Sequence, residues 1–154
     1  MNFPRPQVPD AIQAPAGEEL VLQMHASGVQ IYICQSGADG KPAWNLNAPE
    51  AELTDQRGNN IGRHYAGPAW KHRDGSEVIA KAVARVDAPD SAAIPWVLLS
   101  ATGHSGNGIL SRVTTIQRIQ TVGGQPPADG CAQENLGAEF KSSYSAEYYF
   151  YAPK

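Results

Sequence analysis

Apolar and polar residues alternate at a period of two along most of this chain, and the alternation is broken at short intervals by Gly, Pro, Asn and Asp. That pattern predicts strands joined by turns rather than helices. Glu19–Ala26 and Val29–Gln35 end at Ser27-Gly28 and Ser36-Gly37, which predicts a first strand pair joined by Ser-Gly turns. Pro42–Leu46 reads as a further short strand, and Asn47–Leu53 has the look of a capped, brief helical turn before the turn at Arg57–Asn60. Ile61–His72 and Glu77–Val86 flank Arg73-Asp74-Gly75-Ser76, and Asp-Gly between apolar runs is a strong hairpin signal. In the second arm Val78, Ala80, Ala82, Ala84 and Val86 alternate with Ile79, Lys81, Val83 and Arg85. A helix competes there, because Ser76-Glu77 resembles a cap and alanine favours helices, but the Asp-Gly turn favours a strand.

Ala92–Ala101 reads as a buried central strand with Pro95 near its start, where no ladder donor is needed. A loop at Gly103–Gly108 precedes a long Thr-, Val- and Ile-rich strand over Ile109–Val122, and after the loop Gly123–Gly130 the chain ends in an aromatic strand, Tyr144–Tyr151. Residues 1–17 are Pro-rich and aperiodic, an extended arm or a strand crossing another element, which leaves 18–154 as one domain. The expected fold is all-β and mostly antiparallel, a sandwich or a barrel with irregular loops and little helix.

Composition narrows the partners. The 154 residues suit one core, and 15 Gly and 12 Pro with only 18% charged residues fit short elements and ordered turns. A formal net charge of -3, with Lys and Arg scattered along the chain, offers no basic field for a phosphate backbone, so nucleic acid is not an expected partner. No apolar run approaches the roughly 20 residues of a membrane-spanning helix. Met1–Pro6 has neither a basic nor an apolar leader region, and the Pro-rich start resembles a mature secreted domain whose leader has been replaced by Met1. Cys34 lies in an apolar run and Cys131 follows Asp129-Gly130. Two cysteines and no third suit a single disulfide in an exported protein, and the alternative is one buried and one exposed free thiol.

The densest gathering of reactive side chains is Ile61–Ser76, with His64, His72, Tyr65 and Trp70. The even separation of His64 and His72 puts both on one face of a strand, and His104 or His25 nearby would complete a three-imidazole zinc or copper site. On a straight strand the pair would be roughly 26 Å apart, so only a bend at Gly67-Pro68 brings them together. Otherwise each histidine is structural or a surface residue in its own right. Gly103-His104-Ser105-Gly106-Asn107 is similar to a nucleophile elbow but has Asn where the elbow needs Gly, which leaves a Ser105, His and Asp triad weakly supported against a plain hairpin loop. The same loop reads as a Gly-rich phosphate cradle, but no helix follows it. Asp55, Asp74, Glu77 and Glu147 are the carboxylates available for acid and base work. Glu147, inside a strand, requires solvent or a partner such as Arg118 or Arg63. Of the aromatic residues, Trp70 and Tyr65 are the expected exposed pair for stacking on a sugar ring.

Ile31–Cys34, Gly62–Trp70, Asp74–Ser76, Ile94–Leu99, Ile116–Gly124, Gly130-Cys131 and Tyr144–Tyr151, in this order, resemble a family of mostly secreted microbial proteins, domain of unknown function 3455. The resemblance covers nearly the whole chain after Pro9. It implies export, which agrees with a disulfide, and it brings no established chemistry. Some relatives carry a dehydrogenase label, but this chain has no dinucleotide fingerprint. The leading functional expectation is a non-enzymatic extracellular binding module for carbohydrate or a small ligand, using His64, Tyr65, Trp70, His72, Arg118 and the 103–108 loop, with no cofactor. The rivals are a small hydrolase or metal-dependent enzyme built on His64, His72, His104 or Ser105, and a surface or envelope structural protein. The sequence leaves the oligomeric state open.

Overall fold

A computed structural model describes residues 4–154. Eight strands follow one another around a closed antiparallel barrel: β1 (Glu18–Ser36), β2 (Pro42–Thr54), β3 (Asn60–Tyr65), β4 (Ala69–His72), β5 (Glu77–Val86), β6 (Trp96–Ser105), β7 (Thr115–Gly123) and β8 (Glu139–Pro153). β8 pairs with β1, which closes the sheet on itself. The all-β, single-domain expectation holds, and of the two architectures it allowed the chain adopts the barrel.

Several boundaries differ from those expected, each for a local reason. Ser27-Gly28 is not a turn: it lies inside β1, opposite Glu52 and Ala51 on one side and Ser145 and Tyr144 on the other. The glycine serves a close approach of backbones, since a Cβ at Gly28 would come 2.1 Å from the Glu50 carbonyl oxygen. The helical turn expected over 47–53 is likewise strand, part of β2. Pro49 is tolerated because β2 pairs with β3 only over Ala51–Thr54, so at Pro49 one flank has no ladder to donate to. Ile61–His72 is two strands, joined by a turn through a cis Gly67–Pro68 peptide. The Asp74-Gly75 hairpin forms, with Gly75 at φ +97°, a conformation that side chains resist, and β5 is a strand rather than a helix. Ile109–Thr114 leaves the expected strand as consecutive turns before β7 begins.

Those turns close one end of the barrel. Leu110 and Val113 are fully buried there, packed with Met24, Leu53, Ile61, Val78 and Phe150. The β4–β5 turn holds the segment in place. Asp74 accepts from the Ile109 amide (2.8 Å) and from the Ser76 hydroxyl (2.6 Å), and the Ser76 Oγ accepts from the Leu110 amide (3.0 Å). Burial alone would hinder ionisation of Asp74, but these hydrogen bonds and the neighbouring His72 outweigh it and hold the carboxyl at about 2. Ser76 has no exposed surface, so Ser76→Ala strands the Leu110 N–H. The expected cost is roughly 1–3 kcal/mol in urea denaturation, and an unchanged midpoint would show that this contact does not secure the closed end.

Outside the barrel, the segment before β1 forms a second small core. Ile12, in a single 3-10 turn (Asp10–Ile12), is fully buried with Ala14 against Leu20, Ile119, Tyr149 and Tyr151. The Gln117 side chain donates to the Ile12 carbonyl (2.8 Å) and accepts from the Tyr151 hydroxyl (2.6 Å), which ties the segment to β7 and β8. At the open end, Cys34 of β1 and Cys131 in the β7–β8 loop form a disulfide.

Candidate functional site: a half-open cavity at the barrel end

The end opposite the Leu110 plug is not filled. Residues directly opposite in antiparallel strands share a face, so the His64–Trp70 pair of β3 and β4 points inward together. Both are buried and stacked, with ring centroids 4.4 Å apart, and Tyr148 of β8 meets the imidazole at 5.2 Å. Beside them lies a cavity of about 210 Å³. Gln30, Arg118, Tyr148, Val97, Leu99, Pro49 and Pro68 complete its walls, and the exposed residues Leu46, Asn47 and Gly67 form its rim.

The electrostatics of this cavity rest on one charge. Arg118 on β7 spends Nε and Nη2 on the Pro95 carbonyl (3.2 and 2.7 Å). Among the described residues it has no carboxylate partner; the basic side chains set beside carboxylates are His25, next to Glu147, and His72, next to Asp74. Burial pushes the His64 pKa down to about 4; a hydrogen bond to the Ala69 carbonyl opposes this, and the Arg118 charge adds to it. The imidazole is therefore neutral at pH 7. Its Nδ1 donates to Ala69 O (2.8 Å), which places the proton on Nδ1 and leaves Nε2 as an acceptor. Burial also raises the Tyr32, Tyr144 and Tyr148 hydroxyls, and in each case Arg118 opposes the rise. Tyr144 and Tyr148 share a hydrogen bond (3.2 Å), and Tyr32 donates to Gly124 O (2.5 Å). Among the described residues three buried side-chain atoms have no partner: Trp96 Nε1, away from the cavity, and Gln30 Oε1 and Trp70 Nε1, both on residues that line it. Buried polar atoms are normally satisfied, so two at one cavity mark it out from ordinary core.

Of the residues singled out from the sequence, His64, Trp70 and Arg118 come together here. Trp70 does so as a core residue, only 1% exposed, and not as the surface platform expected of it. Tyr65 follows His64 in β3 and so points outward, where its hydroxyl donates to Glu77. His72 is held in the β4–β5 turn, where the Asp74 amide donates to its Nδ1 (3.0 Å). His104 bonds the Val113 carbonyl at the closed end (2.6 Å). It shares a cross-strand row with His64, but Trp70 and Val78 stand between them, three strand spacings or about 14 Å. The bend at Gly67-Pro68 thus becomes a hairpin that separates the imidazoles, and no group of three or more His, Cys, Asp or Glu among the described residues is placed to hold a metal.

Ser105 ends β6, adjacent to His104 and so facing the other way, with its hydroxyl on Glu77 (3.2 Å). No elbow forms there, and the 103–108 segment lies at the plugged end, away from the cavity. Glu147 pairs with His25 and Gln23 instead of Arg118 or Arg63, because it points outward while Tyr148, opposite Arg118, points inward.

The sequence profile of a family described as proteins of unknown function (DUF3455) matches residues 15–152. The chain belongs to this family. Neither the curated proteins nor the solved structures contain a significant match to it. The match begins after the Ile12 turn and spans the eight strands of the barrel. Sequence reasoning passed over Gln30 and Pro68 in that cavity. The signal for Gln30 was present: a polar residue in the inward phase of an otherwise apolar strand, Val29–Cys34. Pro68 carried a bend signal but nothing to show that it would become a wall.

Proposed function

We propose that this domain binds a small polar molecule in the open end of its barrel, without catalysis, in an oxidising, extracytoplasmic setting. The observation that carries the reading is the cavity beside His64 and Trp70, polar at one wall through Arg118 and Gln30 and apolar at the others. Ligand sites in barrels take this form, a concave, mostly apolar recess with a few convergent polar groups. At about 210 Å³ the recess is smaller than the roughly 300–1,000 Å³ that drug-sized ligands use, which suits a molecule on the scale of a single ring. A polysaccharide is disfavoured, since stacking on a sugar chain needs an exposed aromatic face and Trp70 is covered. Binding is favoured over catalysis because the lining offers one imidazole and no Ser, Cys, Asp or Glu as nucleophile or second acid and base. The Cys34–Cys131 bond supports an exported protein, since disulfides persist in oxidising compartments. Among the described residues no helix is long and apolar enough to cross a membrane.

The test is a fragment screen by ligand-observed NMR on the disulfide-bonded chain, followed by calorimetry. Saturable, one-to-one binding of single-ring compounds is expected, and it should be lost in Val97→Phe, which extends a ring from the cavity wall opposite Arg118. Binding that survives a folded Val97→Phe, or no saturable binder at all, would overturn the reading.

A further inference from the structure

The charge distribution of the cavity narrows the ligand further, on the premise that the cavity is a binding site. Among the described residues its lining contains no Asp or Glu, and its histidine is neutral at pH 7, so Arg118 is the one charged group of these that faces it. A guanidinium has five N–H donors. Pro95 O engages Nε and Nη2 and the Tyr148 hydroxyl also lies in hydrogen-bonding reach of the guanidinium, whose remaining N–H groups are uncommitted to that carbonyl. A half-buried cation without a counter-charge is costly, and an anion arriving beside it removes that cost and gains the paired geometry that guanidinium and carboxylate share. The surrounding neutral groups distinguish among anions. Pro49, Pro68, Val97 and Leu99 ask for an apolar body, which an inorganic ion lacks. The free Nε2 of His64 is an acceptor and Gln30 lines the cavity with an amide side chain, so both suit a ligand hydroxyl.

We propose that the cavity takes a small cyclic carboxylate bearing a hydroxyl group, its carboxylate on Arg118, its ring against the two prolines, Val97 and Leu99, and its hydroxyl toward His64 and Gln30. Recognition is by charge at one end and by shape and one hydrogen bond at the other. Neither alone explains why an arginine stands inside the barrel without a carboxylate while the wall beside it is apolar.

The experiment is calorimetry at pH 7 on the intact chain with matched pairs: benzoate, 4-hydroxybenzoate and cyclohexanecarboxylate, each against its neutral carboxamide, with inorganic phosphate as a further probe. The acids are expected to bind one to one and at least tenfold more tightly than their amides, 4-hydroxybenzoate more tightly than benzoate, and phosphate weakly or not at all. In Arg118→Gln the gap between acid and amide should close. Because Arg118 also holds the Pro95 carbonyl, that variant is first checked for a native melting transition; if it is unfolded, the acid–amide gap in the unaltered chain decides. Amides binding as well as acids, or phosphate as well as the best acid, would overturn the proposal and leave the pocket standing. If these acids fail while neutral fragments bind, the carboxylate assignment alone falls; if nothing binds, both fall.

Discussion

Breaking the Cys34–Cys131 bond is expected to lower the stability of the domain by about 4 to 5 kcal/mol. The bond spans 97 residues of sequence, and a cross-link of that span removes a large share of the unfolded chain's freedom, which on the chain-entropy account amounts to that value. In a chain of this length the melting temperature should fall by roughly 10–18 °C. The loss will not be spread evenly. Cys34 is also bound to the β7–β8 loop through its backbone, with its N–H on Ala138 O and its carbonyl receiving the Gly137 N–H (each 2.8 Å), and Trp44 Nε1 donates to Asp129 O (3.0 Å). That loop begins at Gly124, whose carbonyl receives the Tyr32 hydroxyl near Arg118. Without the cross-link the loop loses its covalent tie while the plug of Leu110 and Val113 at the other end is untouched. Hydrogen exchange should therefore rise first over residues 124–138 and the adjoining ends of β1 and β8, before global unfolding. Urea denaturation of the Cys34→Ala/Cys131→Ala double variant reads the total, and a loss below 1 kcal/mol would refute the estimate.

The sequence displayed the barrel's strands more openly than its site. Asp74-Gly75 marked its hairpin because one backbone geometry, positive φ at Gly75, requires that residue pair whatever surrounds it. Ser27-Gly28 carries the same local signal and means something else. There the glycine answers to the Glu50 backbone on the adjacent strand β2, a contact that no window of neighbouring residues contains. The candidate site divides along the same line. Parity along β3 and β4 was readable, and parity alone separates inward His64 and Trp70 from outward Tyr65. Which parity faced the interior depended on closure of the sheet and on the hairpin at Gly67-Pro68. Arg118 stood out in Ile116–Ile119 as a charge within an apolar strand, but Glu147 looked like its natural partner. Only the registers of β7 and β8 show that Arg118 lies opposite Tyr148, with Glu147 turned to the outer face beside His25. Cross-strand neighbours decide the function of such residues, and pairing registers are set by the whole sheet.

His64 should make the domain sensitive to mild acid, and the direction follows from its burial. Its folded pKa of about 4 lies below the ordinary 6.5, so between these values the unfolded chain binds the proton and the folded chain does not. Stability from this residue is then complete above pH 6.5, falls as the pH drops from 6.5 toward 4, and is gone below 4. The full difference corresponds to about 3 kcal/mol. Among the described residues only the Ala69 carbonyl eases the penalty, and it does so in part: Arg118 on β7 is positive throughout the window, Tyr148 on β8 and Trp70 on β4 are uncharged, and the cavity contributes no carboxylate. Asp74 titrates outside this range. Its carboxyl, held at about 2, supplies stability above the ordinary 3.8 that is lost only at lower pH. Urea denaturation at intervals from pH 4.5 to 7.5 should give an unfolding free energy that climbs with pH in the native chain and a markedly flatter profile in His64→Gln. The comparison rests on slopes, so any constant loss from the substitution itself drops out. Parallel profiles would mean that His64 takes up its proton as readily in the folded barrel as in the unfolded chain, and that the cavity admits water or a counter-charge to the imidazole.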